Sequence, residues 1–100
     1  MENITGFQRD LLYVVLNKED PSGQSIKKEI ESYYDGNINH GRLYPNLDEL
    51  VDKELIIKGK QDERTNYYSI TPEGIRAIQD YHNWVDDMVS STDGVPQITA

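Results

Sequence analysis

Hydrophobic residues fall on two different periods along this chain. Phe7, Leu11, Val14 and Val15 recur at i, i+4, i+7 and i+8, one face of a helix. Leu12 and Leu16 widen that stripe, so the first helix is expected to be buried over much of its circumference. Thr5 is placed to cap it, and Pro21-Ser22-Gly23 ends the connection that follows. A second helix is predicted from about Gly23 to Tyr34. Ile26, Ile30, Tyr33 and Tyr34 lie on one side of it, Lys27, Lys28, Glu29 and Glu31 on the other, and Asp35-Gly36-Asn37 stops it. A third is predicted from about His40 to Lys53, capped by Asn39, with Leu43, Leu47, Leu50 and Val51 repeating the first spacing. Pro45 is awkward there, because its ring opposes the carbonyl of Gly41 in a regular helix. Either the helix proper begins near Arg42 or its first turn is distorted.

Beyond Lys53 the period shortens. Leu55-Ile56-Ile57-Lys58-Gly59-Lys60 and Asn66-Tyr67-Tyr68-Ser69-Ile70 are rich in β-branched and aromatic residues. The polar run Gln61-Asp62-Glu63-Arg64-Thr65 separates them, which predicts a β-hairpin with a charged tip. Thr71-Pro72-Glu73-Gly74 then opens a last helix, with Thr71 as cap, Pro72 at the first helical position and an acid in the first turn. It continues to about Val89, and Ser90 to Ala100 has no periodicity and is expected to be a loose tail. The predicted class is α+β, mostly α. Three helices followed by a two-stranded ribbon is the plan of a winged helix-turn-helix domain over residues 1–70, with a C-terminal helix over 71–89 and a tail over 90–100.

That last helix carries two apolar rows: Ile75, Ile78, Val85 and Val89 on one, Ala77, Tyr81, Trp84 and Met88 on its neighbour. One row can pack on the helical domain, which leaves the other exposed in a monomer. An exposed Trp-Tyr-Met patch marks an association surface, so a homodimer is expected through Tyr81, Trp84, Val85 and Met88.

Composition narrows the functional classes. The chain has no cysteine, which removes disulfides, thiolate catalysis and cysteine-ligated metals. No apolar run approaches about 18 residues, so no membrane span is expected. The first ten residues lack the apolar core of a secretory leader, and a cytoplasmic location follows as an expectation. His40 and His82 have no partners at metal-ligand spacing, and Asp86-Asp87 reads as a solvated face, so neither metal nor cofactor is expected. No nucleophile-and-base constellation or phosphate-binding glycine loop is present, and an enzyme is not expected.

Gly41-Arg42-Leu43-Tyr44-Pro45-Asn46-Leu47-Asp48-Glu49-Leu50, then Leu55-Ile56, then Asn66-Tyr67-Tyr68-Ser69-Ile70-Thr71-Pro72-Glu73-Gly74 together resemble the PadR family of winged-helix transcription regulators. There a Leu-Tyr-Pro run opens the recognition helix and a Tyr-Tyr-x-Leu-Thr-x-x-Gly run leaves the wing. The resemblance spans roughly residues 7 to 80 in order. It departs at Gln24-Ser25, where the family usually has an aromatic, and at Lys53-Glu54, where it often has a glycine. It implies a homodimer whose C-terminal helix packs on its partner, a recognition helix in the major groove, and a wing near the backbone or minor groove.

On that footing the DNA-contact candidates can be named. Arg42 and Asn46, four apart, share one helix face, and their side chains can pair bidentately with guanine and adenine. Asn39 and His40 stand at the helix start, where backbone contacts are made. Tyr44 serves equally for packing or for a phosphate. In the wing, Lys58 and Lys60 share one face and Arg64 sits at the tip, although lysines on a strand also protect an edge. Lys27 and Lys28 can touch phosphate or simply solvate the second helix.

The formal charge of −8 weighs against a nucleic-acid partner until it is divided by segment. Residues 23–70 hold seven of the ten basic residues and a net −2, whereas 71–100 hold a net −4. Basic groups are thus gathered in the proposed reading segment, though it is not itself net basic. The acidic excess suggests a salt-loving microbe such as a haloarchaeon, with potassium ions held at the acidic surface. An alternative is a winged-helix adaptor or DNA mimic, and a third reading is a regulator with a ligand pocket near Trp84.

Overall fold

Side-chain caps set where each helix begins. The computed structural model describes residues 3–60 and 64–91. Its elements are α1 (Gly6–Asn17), α2 (Gly23–Tyr34), α3 (His40–Asp52), β1 (Ile56–Lys60), β2 (Asn66–Ile70) and α4 (Pro72–Ser90), in that order. Thr5 Oγ1 accepts from the Gln8 backbone N–H at 3.1 Å, and Gln8 Oε1 accepts from the Thr5 N–H at 3.2 Å, a reciprocal capping box. Ser22, Asn39 and Thr71 cap α2, α3 and α4 in the same position, each accepting from a backbone N–H three residues on. Pro72 occupies the first helical position of α4, where its missing N–H costs nothing.

The core is one cluster. Leu11, Leu12 and Val15 of α1 meet Ile26 and Ile30 of α2 and Leu43, Leu47 and Leu50 of α3; Leu55, Ile56 and Tyr68 close it from the hairpin. Strands β1 and β2 pair antiparallel from Ile56↔Ile70 to Lys60↔Asn66. Ser22 bridges to Tyr67, and the Tyr68 N–H donates to the Pro21 carbonyl at 2.9 Å, so the entry to α2 covers the second edge of β2. The plan is the winged helix-turn-helix expected from the sequence, with an additional C-terminal helix. No helix among the described residues is long and apolar enough to cross a membrane.

Four details depart from the sequence pattern. Leu16 is exposed at the lip of a groove between α1 and α4, beside Tyr13 and Ile78, so the buried arc of α1 is narrower than its apolar stripe. Tyr33 is 77% exposed. Only its neighbour Tyr34 turns inward, where its hydroxyl donates to Asp10 at 2.6 Å and its pKa is pushed up to about 12, first by burial and then by that carboxylate. The helix of Pro45 does begin at His40, with the proline inside it. Gly41 is exposed, so its carbonyl can be solvated instead of bonded, which lowers the cost of the missing donor. Finally, α4 does not divide by row, since Ile75 and Val89 of one row and Trp84 and Met88 of the other are all exposed. Gly74, Ala77 and Ile78 are its buried residues. The 61–63 portion of the hairpin tip, and 92–100 of the expected tail, lie outside the described residues.

The Lys53-Glu54 position has a backbone reason to prefer glycine, since Glu54 sits at φ 61° in the left-handed region. Another local oddity is the Tyr68 hydroxyl, which is buried with no hydrogen-bond partner among the described residues. Burial, then Asp48 and Tyr44, push its pKa up to about 12. Because the native ring already forgoes hydrogen bonding, Tyr68→Phe should leave stability unchanged or raise it by up to about 1 kcal/mol, read from urea unfolding midpoints.

Candidate nucleic-acid interface

The turn between α2 and α3 positions the third helix. Ile38 is buried beneath it, and its N–H donates to Glu31 Oε2 at 2.9 Å. The same carboxylate takes Lys27 Nζ at 3.1 Å, so Lys27 is engaged within the protein, while Lys28 stays exposed. The Ile38 N–H, and secondarily Lys27, hold the Glu31 carboxyl below its ordinary pKa of 4.5. With the folded pKa depressed, the stabilisation is present above pH 4.5 and is lost as pH falls through the depressed folded value. Acid titration by circular dichroism should therefore show a shallower loss of stability for Glu31→Gln than for the wild type below that pH.

α3 is held from within by Leu43, Leu47 and Leu50, all buried. A helical projection then puts Gly41, Pro45, Asp48 and Asp52, all exposed, on the outermost line. Tyr44 and His40 flank that line on one side, Arg42 and Asn46 on the other. Tyr44 is half-buried against the start of α2. A Cβ at Gly23 would lie 2.6 Å from its hydroxyl, so only glycine lets the ring lie there. His40 stands edge-on to Tyr44 at 5.4 Å. Asn39 uses its side-chain oxygen as the cap, accepting from the Arg42 N–H at 2.8 Å, which leaves its amide N–H groups as the donors it can offer.

Arg42 and Asn46 share a face, as their spacing requires, and that face borders α1. The Arg42 guanidinium lies over the Phe7 ring at 4.0 Å. Asn46 Oδ1 accepts from Gln8 Nε2 at 2.9 Å, and Asn46 Nδ2 donates to the Arg42 carbonyl at 2.6 Å. Gln8 Nε2 also donates to Glu49 Oε2. Gln8 is the partner that hydrophobic patterning alone passes over; its signal is the Thr-x-x-Gln spacing of Thr5 and Gln8.

The wing stands beside this surface. Lys58 Nζ pairs with Asp48 at 3.4 Å across the junction with α3, and Lys60 and Arg64 are exposed on the hairpin. On the side of α1 that meets α4, the Arg9 guanidinium covers the Tyr81 ring at 4.1 Å, Val85 is half-buried, and Trp84 is 57% exposed. Apart from Lys27 and Lys28 on α2, the candidate residues fall into two groups. Asn39, His40, Arg42, Tyr44, Asn46, Lys58, Lys60 and Arg64 gather around α3 and the wing, and Tyr81, Trp84, Val85 and Met88 lie along the outer half of α4.

Three helices and a two-stranded wing, with a capped third helix showing its outer line to solvent, define a protein of the winged helix-turn-helix class. Residues 11–80 match the Transcriptional regulator PadR-like family. The chain belongs to that family, whose members are transcription regulators and not enzymes. It is similar to RosR of H. salinarum, with 42% identity over 91% of this chain and 82% of that one and a TM-score of 0.86. More distant likenesses establish the fold alone. A MarR mutant from E. coli complexed with operator DNA is 22% identical over 86% of this chain and 59% of that one, TM-score 0.72. F93 from STIV, a winged-helix DNA-binding protein, is 19% identical over 90% and 98%, TM-score 0.72. No curated protein sequence matches the chain.

Proposed function

We propose that this transcription regulator is a homodimer that binds a pseudo-palindromic operator, its half-sites about 10 bp or a multiple apart. The observation that carries the reading is the exposed outer line of α3 tied to the wing by the Lys58–Asp48 pair, with Lys60 and Arg64 exposed on the same hairpin. Asn39, His40 and Tyr44 flank the groove-facing line, Lys28 and, less freely, Lys27 lie near the backbone path, and Arg42 and Asn46 reach bases by exchanging their intramolecular partners. The exposed Trp84 and Met88, with Val85 and Tyr81 beside them, serve the second copy. Residues 1–70 act as the reading head, 71–89 as the dimerising helix and 90–100 as a tail, in the cytoplasm.

The acidic charge belongs to this reading. At molar salt the Debye length shrinks to about 3 Å, so remote acids are screened while close Arg and Lys contacts persist. Ordinary counterion release makes affinity fall with salt. Here, potassium taken up between acidic side chains and phosphates offsets that loss, as suits a protein of a salty cell. Affinity for DNA enriched by the protein, measured from ~0.2 to 2 M KCl, should show a weak or reversed slope; a steep ordinary loss rejects the salt adaptation. Sedimentation showing a monomer at micromolar concentration in the same buffers rejects the dimer. If Arg42→Ala/Asn46→Ala binds that DNA as well as the wild type, those two side chains do not read it; if the wild type enriches no DNA, an adaptor role replaces operator recognition.

A further inference from the structure

Three leucines set which face of α3 turns inward, but apolar packing is non-directional and does not by itself fix the last few degrees of rotation about the helix axis. Hydrogen bonds do. At a side-chain radius of about 6 Å, a 10° turn of a helix moves a contacting atom by about 1 Å, enough to break a base contact. α3 needs such an anchor more than most helices, because Pro45 supplies no N–H to its ladder.

We propose that Gln8, which lies on α1 outside the elements expected to touch DNA, is a positioning residue for operator discrimination; this rests on the reading of α3 as the recognition helix. Gln8 is only 2% exposed, and its amide is fully engaged. The oxygen completes the α1 capping box with the Thr5 N–H at 3.2 Å, which fixes the side chain. The nitrogen spends both of its hydrogens on α3, one on Asn46 Oδ1 at 2.9 Å and one on the Glu49 carboxylate. Asn46 and Glu49 lie on one flank of α3, three residues apart, so the two bonds pin its rotation rather than its distance from α1. Asn46 passes the restraint on by donating to the Arg42 carbonyl at 2.6 Å, bracing the turn that Pro45 interrupts. The head end of α1 thereby sets the angle at which α3 faces DNA.

Gln8→Glu separates this role from helix capping. A glutamate keeps the oxygen that accepts from Thr5, but sets a carboxylate against Glu49 and against Asn46 Oδ1. Gln8→Glu/Glu49→Gln reverses donor and acceptor and restores one bond between α1 and α3. The probes are a duplex that the wild type enriches from a randomised 30-bp pool, sized at about three helical turns, and a scrambled duplex of equal composition, at one salt concentration. The readout is the ratio of the two affinities, measured well below the unfolding midpoint. It should fall about tenfold in Gln8→Glu and return to within about threefold in the swapped double variant. A merely structural role would lower the unfolding midpoint and leave the ratio alone. An unchanged or raised ratio in folded Gln8→Glu, or no recovery in the double variant, overturns the proposal. Should Gln8→Glu fail to fold, Gln8→Met carries the same comparison with an apolar side chain of similar length. If the wild type enriches no duplex at all, the reading of α3 fails instead, and the two failures are distinguishable.

Discussion

Replacing Gly74 by alanine will remove a large share of the stability of the protein. A Cβ at this position would lie 2.2 Å from the backbone oxygen of Leu55 and 2.7 Å from Cγ1 of Ile70. Neither neighbour can give way. The Leu55 carbonyl already accepts from the Thr71 N–H at 3.1 Å and from Thr71 Oγ1 at 3.0 Å, and Ile70 is paired with Ile56 at the base of the wing. Overpacking a side chain costs about 1–3 kcal/mol, and here the obstacle is fixed backbone, so a loss at or beyond about 3 kcal/mol is expected. A domain of this size holds about 5–15 kcal/mol in all. Denaturant unfolding should show the midpoint collapsing for Gly74→Ala. Gly36→Ala serves as the control, since nothing lies within 4 Å of its Cβ, and should shift the midpoint little. Equal shifts for the two variants would contradict the assignment of Gly74 as the contact between α4 and the wing.

Leu47→Ala comes next in size. Leu47 is completely buried and central among the three leucines that seat α3 on α1 and α2. Truncating such a side chain forfeits its transfer free energy and leaves a cavity, together about 2–5 kcal/mol. The expected signature is a lower urea midpoint at unchanged m-value, because the same surface is exposed on unfolding. DNA affinity should fall only as far as the folded population falls. A loss of affinity at a temperature where the variant is fully folded would mean that Leu47 also governs how α3 is presented.

The elements were legible because their signals are local. Thr5, Asn39 and Thr71 announce three helix starts, and the change from the spacing of Leu43, Leu47 and Leu50 to the contiguous apolar run Leu55-Ile56-Ile57, two of them β-branched, marks the wing. Matters decided by tertiary neighbours were less so. The spacing of Arg42 and Asn46 puts them on one face but cannot say that α1 borders it, since Phe7 and Gln8 lie more than thirty residues away in sequence. Tyr33 and Tyr34 look equivalent in the pattern, and it is Phe7 and Asp10 of α1 that receive the second of them. On α4 two apolar rows read as two faces, whereas the head simply ends before the helix does. Pro45 left two options open because the cost of a lost hydrogen bond depends on whether the Gly41 carbonyl meets water.

Because α4 crosses from head to projecting segment without a break, the buried Ala77 and Ile78 and the exposed Trp84 and Met88 are cut from one screw. Each residue of a helix advances about 1.5 Å and turns about 100°. Deleting a single residue between Ile78 and Trp84 would therefore swing the aromatic patch by more than a quarter turn while leaving the head intact. In a two-headed assembly, that angle is the phase between the heads. In the proposed dimer the number of residues in α4 would act as a vernier, matching the spacing of the two heads to the pitch of the duplex.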